Sequence, residues 1–155
     1  MTSTFDWANK LFPKGGWFVE AGAHDGIGDS QTYELERSGR WKGLCVEPSR
    51  AFAGLKMKRS CLVSPALLGE LEGEEVVFRE MSGNYVELSG IIRYFGDHWD
   101  RETSSHKDQK MLTTSLTALL FLRNLPPVIE LLCLDTEGSE LAILRGHDFD
   151  HFRFL

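Results

Sequence analysis

The sequence predicts an α/β protein built on a parallel sheet. Three observations carry this reading. Short apolar runs alternate with helical stretches along the chain. The runs are continuous rather than alternating, as in strands buried on both faces. Each run also ends in a turn rich in glycine, proline or acidic residues.

Trp17-Phe18-Val19 follows Gly15-Gly16 and enters a glycine-studded turn from Gly22 to Gly28, so it reads as a buried strand running into a loop. Asp29 and Ser30 can cap a helix that reaches Ser38, and Gly39 can stop it. Gly43-Leu44-Cys45-Val46 is the second strand, closed by Glu47-Pro48, and Ser49 can cap the helix that follows. In that helix Phe52 and Leu55 share a face, with Lys56, Lys58 and Arg59 toward water. Cys61-Leu62-Val63 is the third strand, broken by Ser64-Pro65.

Glu74 to Arg79 reads as a strand, paired as a hairpin with the segment before it, and Gly90 to Phe95 as another. Residues 96–112 are polar and dense in charge and are expected to form a mobile loop, solvated rather than a substrate lid. Leu116, Leu119, Leu120 and Arg123 follow helical spacing, with Thr114 or Ser115 as cap and Pro126-Pro127 as stop. Ile129 to Leu134 is the most apolar run and is expected to be a central strand. Ser139 to Gly146 is a short helix with Leu141 and Leu144 inward, and Phe152 to Leu155 begins a fifth strand.

The length of 155 residues fits one domain, residues 1–155, with 1–14 as an N-terminal extension. Hydrophobic residues at 42% and charged residues at 26% are ordinary for a soluble globular protein. The net charge of −6 does not suit a general nucleic-acid coat or a membrane-surface binder. Lys56, Lys58 and Arg59, with Arg37, Arg40 and Lys42, could still steer a phosphate-bearing ligand such as an RNA cap, although a solvated helix face is the stronger reading. No apolar run approaches the roughly 20 residues of a membrane span, and Met1 to Lys14 has no apolar core behind a positive start. The three cysteines, Cys45, Cys61 and Cys133, form no C-x-x-C pair and no zinc spacing with histidine. Reduced thiols and a cytoplasmic location are expected.

In an open parallel sheet, ligands bind beyond the carboxyl ends of the strands. Glu20, Glu47 and Asp135 fall at three such ends. Glu20 opens Glu20-Ala21-Gly22-Ala23-His24-Asp25-Gly26, an acidic residue followed by G-x-x-x-G. This is neither the dinucleotide pattern nor a Walker loop. Its glycines let the backbone turn sharply beside a ligand, and its negative charge suits a cationic or hydroxyl-rich one. Glu47 can accept hydrogen bonds from both hydroxyls of a ribose. Asp135-Thr136-Glu137-Gly138-Ser139-Glu140 brings three carboxylates to one turn, more than helix capping requires. Such a cluster makes a general base or binds a divalent metal; a metal is compatible with it but not predicted.

These three segments, with Leu144-Arg145-Gly146, resemble the FkbM family of S-adenosylmethionine-dependent methyltransferases. The resemblance runs in order from about Gly16 to Phe154, with little from Leu68 to Leu112. It implies a three-layer Rossmann-like sheet and an O-methyl product on a small molecule, a sugar or a nucleic acid. It places Glu20, Gly22, Ala23, His24 and Gly26 in the cofactor loop, with Glu20 near the methionine amino group. It puts Glu47 and Pro48 at the ribose, and Ser64 to Leu67, including Ala66, along the adenine. Asp135 and Glu137 would face the methyl group and the acceptor, with Asp135 as general base or metal ligand. The chain stops at Leu155, and a complete sheet of this class has two further edge strands. A sheet lacking the last two strands is therefore expected, with a homodimer or a partner domain at the edge of Phe152 and Phe154.

Two other readings stand beside the methyltransferase. One is a degenerate, non-catalytic interaction module of the same fold; the other is a nucleotide-binding or metal-dependent hydrolase that uses the acidic strand ends. His24 reads as a polar loop residue before a ligand, Trp17 as core, and Trp99 as the better stacking candidate.

Overall fold

Strand β1 (Trp17–Ala21) sends Phe18 and Glu20 to one face and Val19 and Ala21 to the other, and all four are buried. It belongs to a mixed α/β protein whose computed structural model describes residues 3–96 and 104–155. Helix α1 (Thr4–Leu11) precedes it, within the N-terminal extension. After it come α2 (Tyr33–Arg37), β2 (Lys42–Val46), α3 (Phe52–Lys58), β3 (Leu62–Ser64) and the short β4 (Leu67–Leu68). Then follow β5 (Glu75–Met81), β6 (Gly90–Ile91) and β7 (His106–Thr114), with 3-10 turns at Gly83–Leu88 and Ile92–Tyr94. The chain continues with α4 (Leu116–Leu122), β8 (Val128–Ile129), β9 (Leu131–Leu134), α5 (Glu140–Arg145) and β10 (Arg153–Phe154).

The first sheet is parallel, in the order β3-β2-β1-β9. The expected Ile129–Leu134 strand is interrupted at Glu130, whose carboxylate accepts the Trp17 N–H at 2.6 Å. Its two pieces still occupy neighbouring positions: β9 pairs with β1, and β8 pairs in parallel with β10. Phe18, Cys45 and Leu131 pack with Ala8, Leu35 and Leu55 of α1, α2 and α3. Val19, Leu44 and Val46 pack with Leu116, Leu120 and Ile143 of α4 and α5. Burial of these apolar side chains is the main stabilising term.

The caps follow the sequence in part. Ser115 caps α4 through the Ala118 N–H, and Ser49 accepts the Ala51 N–H ahead of α3. Ser30 accepts the Thr32 and Tyr33 N–H groups ahead of α2, whereas Asp29 takes a left-handed backbone with φ 57°. In α5 the buried residues are Ala142 and Ile143, and Leu141 is exposed, so the expected inward face is rotated.

The middle of the chain departs from the reading. β5 pairs antiparallel with β6 and with β7, not with the segment before it, and the second sheet runs β4-β7-β5-β6. Residues 106–112, read as loop, make up most of β7. Residues 97–103, and with them Trp99, lie outside the described residues. β7 is polar on both faces, yet its charges meet partners across the ladder rather than water alone. Arg79 and Asp108 stand directly opposite and form a two-point pair at 2.8 Å, and Lys110 reaches Glu75 at 2.7 Å.

Candidate active site

A cavity of about 220 Å³ opens at the carboxyl ends of β1, β2 and β9. Gly22, His24, Glu47, Pro48, Ala66, Asp135 and Glu137 line it, so seven of the residues picked from sequence share one space. Ala23 and Ser64 are buried and are not on its lining. Gly26 and Glu20 are also not on its lining.

The loop after β1 is fixed by backbone approach. The Gly22 and Ala23 N–H groups both donate to the Val46 carbonyl, at 3.0 and 3.1 Å. Gly22 has φ 82°, and a Cβ there would lie 1.8 Å from the Asp135 carbonyl oxygen. His24 and Asp29 also have positive φ, at 48° and 57°. Non-glycine residues held there cost free energy that the surrounding structure must supply. Asp25 helps to supply it: its Oδ1 accepts the Ile27 and Gly28 N–H groups, and its Oδ2 meets Lys58 at 2.6 Å. The Lys58 bond, aided by these N–H groups, lowers the Asp25 pKa to about 2.

Glu20 anchors the loop from inside. Its carboxylate accepts bonds from Gln31 N–H at 2.6 Å, Thr32 Oγ1 at 2.7 Å and Ser30 Oγ at 2.9 Å. Arg59 closes the network; its side chain is fully buried and contacts Glu20, Glu36, Thr32 and the Gly26 carbonyl. Arg59, read from sequence as facing water, is thus the cation of an interior ion network. Burial pushes the Glu36 carboxyl up, but bonds from Ser60 and Arg59 hold it below its ordinary value. Glu20 also borders a second cavity, which shares Ala21, Gly22, Asp29 and Asp135 with the first. The sequence had no signal for this network, because its members are 10 to 39 residues from Glu20.

Glu47 is 6% exposed. Its Oε2 accepts the His24 N–H at 2.8 Å and its Oε1 the Ser49 N–H at 2.9 Å. Each oxygen keeps a lone pair for a ligand hydroxyl. The Glu47 N–H donates to the Ser64 carbonyl at 3.0 Å, which ties the third strand end to the second.

The turn after β9 sorts the three carboxylates. The Glu140 carboxylate accepts the Thr136 N–H at 2.7 Å and the Gly138 N–H at 3.1 Å. Burial raises its pKa, and these backbone donors together outweigh burial and lower it. Glu140 therefore holds the turn, which leaves Asp135 and Glu137 on the cavity. Asp135 is exposed, and its N–H donates to the Ala21 carbonyl at 3.0 Å. Glu137 has φ 59°.

The opposite wall was not found from sequence. Phe78, Val86, Glu87, Ser89, Gly90 and Ile91 complete the cavity from the second sheet and its 3-10 turn. Their stretch is short on regular pattern, and only Gly90 marks a close approach, with a Cβ there 3.4 Å from that of Glu137. Of the basic residues named from the sequence, Lys58 pairs with Asp25, Arg37 with Glu34, and Arg40 donates to the Pro13 carbonyl and Asn9.

Among the described residues no cluster of three or more acidic, histidine or cysteine side chains could hold a metal ion. No helix among them is long and apolar enough to cross a membrane. The family model of the methyltransferase FkbM domain matches residues 20–155. Neither the curated proteins nor the solved structures give a match to the chain.

Proposed function

The chain belongs to the FkbM methyltransferase family, and from that premise we propose that it is an S-adenosylmethionine-dependent O-methyltransferase with a three-layer Rossmann-like sheet. The observation that carries this is the convergence of Gly22, His24, Glu47, Pro48 and Asp135 on one cavity at the strand ends. The donor set fits the cofactor, since Glu47 offers one free lone pair on each oxygen to a vicinal diol. When bound, S-adenosylmethionine supplies an electrophilic methyl group on a sulfonium.

The residues divide the work. Glu47 binds the ribose hydroxyls, Pro48 and Ala66 lie along the adenine, and Ser64 supports that wall. Gly22 lets the loop approach the ligand, and Ala23, His24 and Gly26 carry it round. Glu20 positions this loop through Ser30, Gln31 and Thr32. Asp135 takes the proton of the acceptor hydroxyl as its oxygen attacks, and Glu137 orients that hydroxyl. Alignment of the acceptor in line with the bond to be broken supplies much of the acceleration.

Calorimetry tests the reading. S-adenosylmethionine and S-adenosylhomocysteine should both bind, and Glu47→Ala should weaken both about tenfold or more. No binding of either at millimolar concentration overturns the enzyme reading. Binding that Glu47→Ala leaves unchanged overturns the ribose assignment. Transfer of a labelled methyl group to an alcohol panel then tests the O-methyl product.

A further inference from the structure

We propose that Cys45 and Cys61 form a redox-sensitive thiol pair, which a peroxide converts to a disulfide and a dithiol reductant restores. The two sulfurs lie 3.6 Å apart. Cys45 stands within β2, and Cys61 comes immediately before β3, which pairs with β2 in parallel. Cys45 is in register with Val63, so the alternation along the strand sends Cys61 to the face that Cys45 shares. A disulfide holds its sulfurs about 2.05 Å apart, so the pair must close by about 1.5 Å. The ladder between the two strands starts at Leu62, which leaves Cys61 outside it and free to swing inward. Cys133, the third thiol, belongs to neither strand. β1 runs between it and Cys45, with Glu20 in register with both. Two strand spacings, about 9.5 Å, keep it out of reach of Cys45.

The two thiols differ in access. Cys61 is half-buried, whereas Cys45 is fully buried. The contact with Cys61, together with burial, pushes the Cys45 thiol far up, so Cys45 stays protonated. Cys61 is therefore the sulfur that reacts first. It takes one oxygen from hydrogen peroxide; the O–O bond breaks, and the thiol proton leaves with the other oxygen as water. The resulting sulfenic acid sits beside Cys45. Attack by the Cys45 sulfur forms the S–S bond and breaks the S–O bond, and the Cys45 proton leaves with the hydroxide as water. The two thiols lose two electrons, and the peroxide gains them.

The pair is tied to the ion network behind the cavity. The Cys45 S–H also donates to Glu20 Oε2 at 3.6 Å. The N–H groups of Ser60 and Cys61 donate to the Glu36 carboxylate at 2.6 and 2.8 Å, and Arg59 bridges Glu36 to Glu20. A disulfide removes the Cys45 donor from Glu20 and draws Cys61 toward β2. Oxidation therefore reaches Ser30, Gln31 and Thr32, the groups through which Glu20 anchors the loop after β1. The pair and its chemistry are the same whatever ligand the cavity holds, so the inference does not depend on the methyl-donor reading.

The test treats the folded full chain with hydrogen peroxide near neutral pH, blocks the remaining thiols with iodoacetamide in urea and maps the peptides by mass spectrometry. A Cys45–Cys61 cross-link should appear in most chains, dithiothreitol should reverse it, and Cys133 should be recovered as a blocked thiol. The amide resonances of Gln31 and Thr32 should shift with the cross-link and return on reduction. In Cys45→Ala, dimedone should trap Cys61 as a sulfenic acid. Three intact thiols after treatment overturn the proposal. So does a cross-link through Cys133 or between two chains, or Cys61 carried on to a sulfinic acid with Cys45 still free. A Cys45–Cys61 cross-link that leaves the Gln31 and Thr32 amides unmoved overturns the coupling to Glu20.

Discussion

A Cβ on Gly22 would lie 1.8 Å from the carbonyl oxygen of Asp135. The loop after β1 and the turn after β9 therefore meet backbone to backbone at the mouth of the cavity. Gly22→Ala must move one strand end away from the other, and it must also hold φ 82° with a side chain. The cost is about 1–3 kcal/mol for the backbone alone. Thermal unfolding should show the loss, and calorimetry should show S-adenosylhomocysteine binding weakened at least as much as in Glu47→Ala.

Arg59→Met leaves Glu20 and Glu36 inside the protein without their cation. Breaking a buried pair in this way costs about 3–5 kcal/mol. Glu20→Gln in the same chain removes one stranded charge and should recover part of the loss. Denaturant melts of the single and double variants measure it; a double variant less stable than Arg59→Met would contradict the network.

Glu140→Ala removes the acceptor of the Thr136 and Gly138 N–H groups. Each amide left unsatisfied costs about 1–3 kcal/mol where it stays dry. Hydrogen exchange at these two amides should accelerate. Methyl transfer should fall through a lower kcat, with cofactor affinity close to that of the unaltered chain, because the turn carries Asp135 and Glu137 rather than the ribose contact.

The loop after β1 should tolerate acid down to an unusual limit. The Lys58 bond, joined by the Ile27 and Gly28 N–H groups, lowers the Asp25 pKa from 3.8 to about 2. A carboxylate depressed on folding adds stability above its unfolded value and loses it as pH falls through the folded one. The Ile27 and Gly28 amide shifts should thus be flat from neutral pH to about pH 3 and titrate with a midpoint near pH 2. Lys58→Met should move that titration upward.

His147 sets a second pH limit, near neutrality. It is 7% exposed; its Nε2 donates to the Phe152 carbonyl at 3.1 Å, and its Nδ1 accepts from Thr117. Burial pushes its pKa below 6.5, although the Phe152 bond works the other way. The neutral ring is the folded form, so its contribution is full above about pH 6.5 and declines as pH falls through the lowered value. Melting temperature should drop over that window, and His147→Gln should remove most of the dependence.

The sequence was readable where chemistry is local. Gly22, Glu47-Pro48 and Asp135 each follow a short apolar run, and a strand end is where such residues become useful. β7 was not readable, because hydrophobic periodicity cannot see a strand whose exposed charges pair across a ladder, as Arg79 and Asp108 do. The wall at Glu87 was hidden for a related reason. It hangs from β5 and β6, so its place depends on pairings that no local pattern records. Arg59 looked like a surface cation because its neighbours Lys56 and Lys58 are lysines on an exposed stretch. Its buried partners, Glu20 and Glu36, lie 39 and 23 residues back.

The two-sided build of the cavity has a kinetic consequence. The ribose side forms when β1 and β2 join across about 20 residues, but the acceptor side waits for β9 to reach β1 across more than 100 residues. Closure of such a loop carries an entropic cost before any contact offsets it. In refolding, the ribose end should become competent before the acceptor end, so a chain that already holds S-adenosylhomocysteine passes through a stage in which it cannot yet tell one alcohol from another.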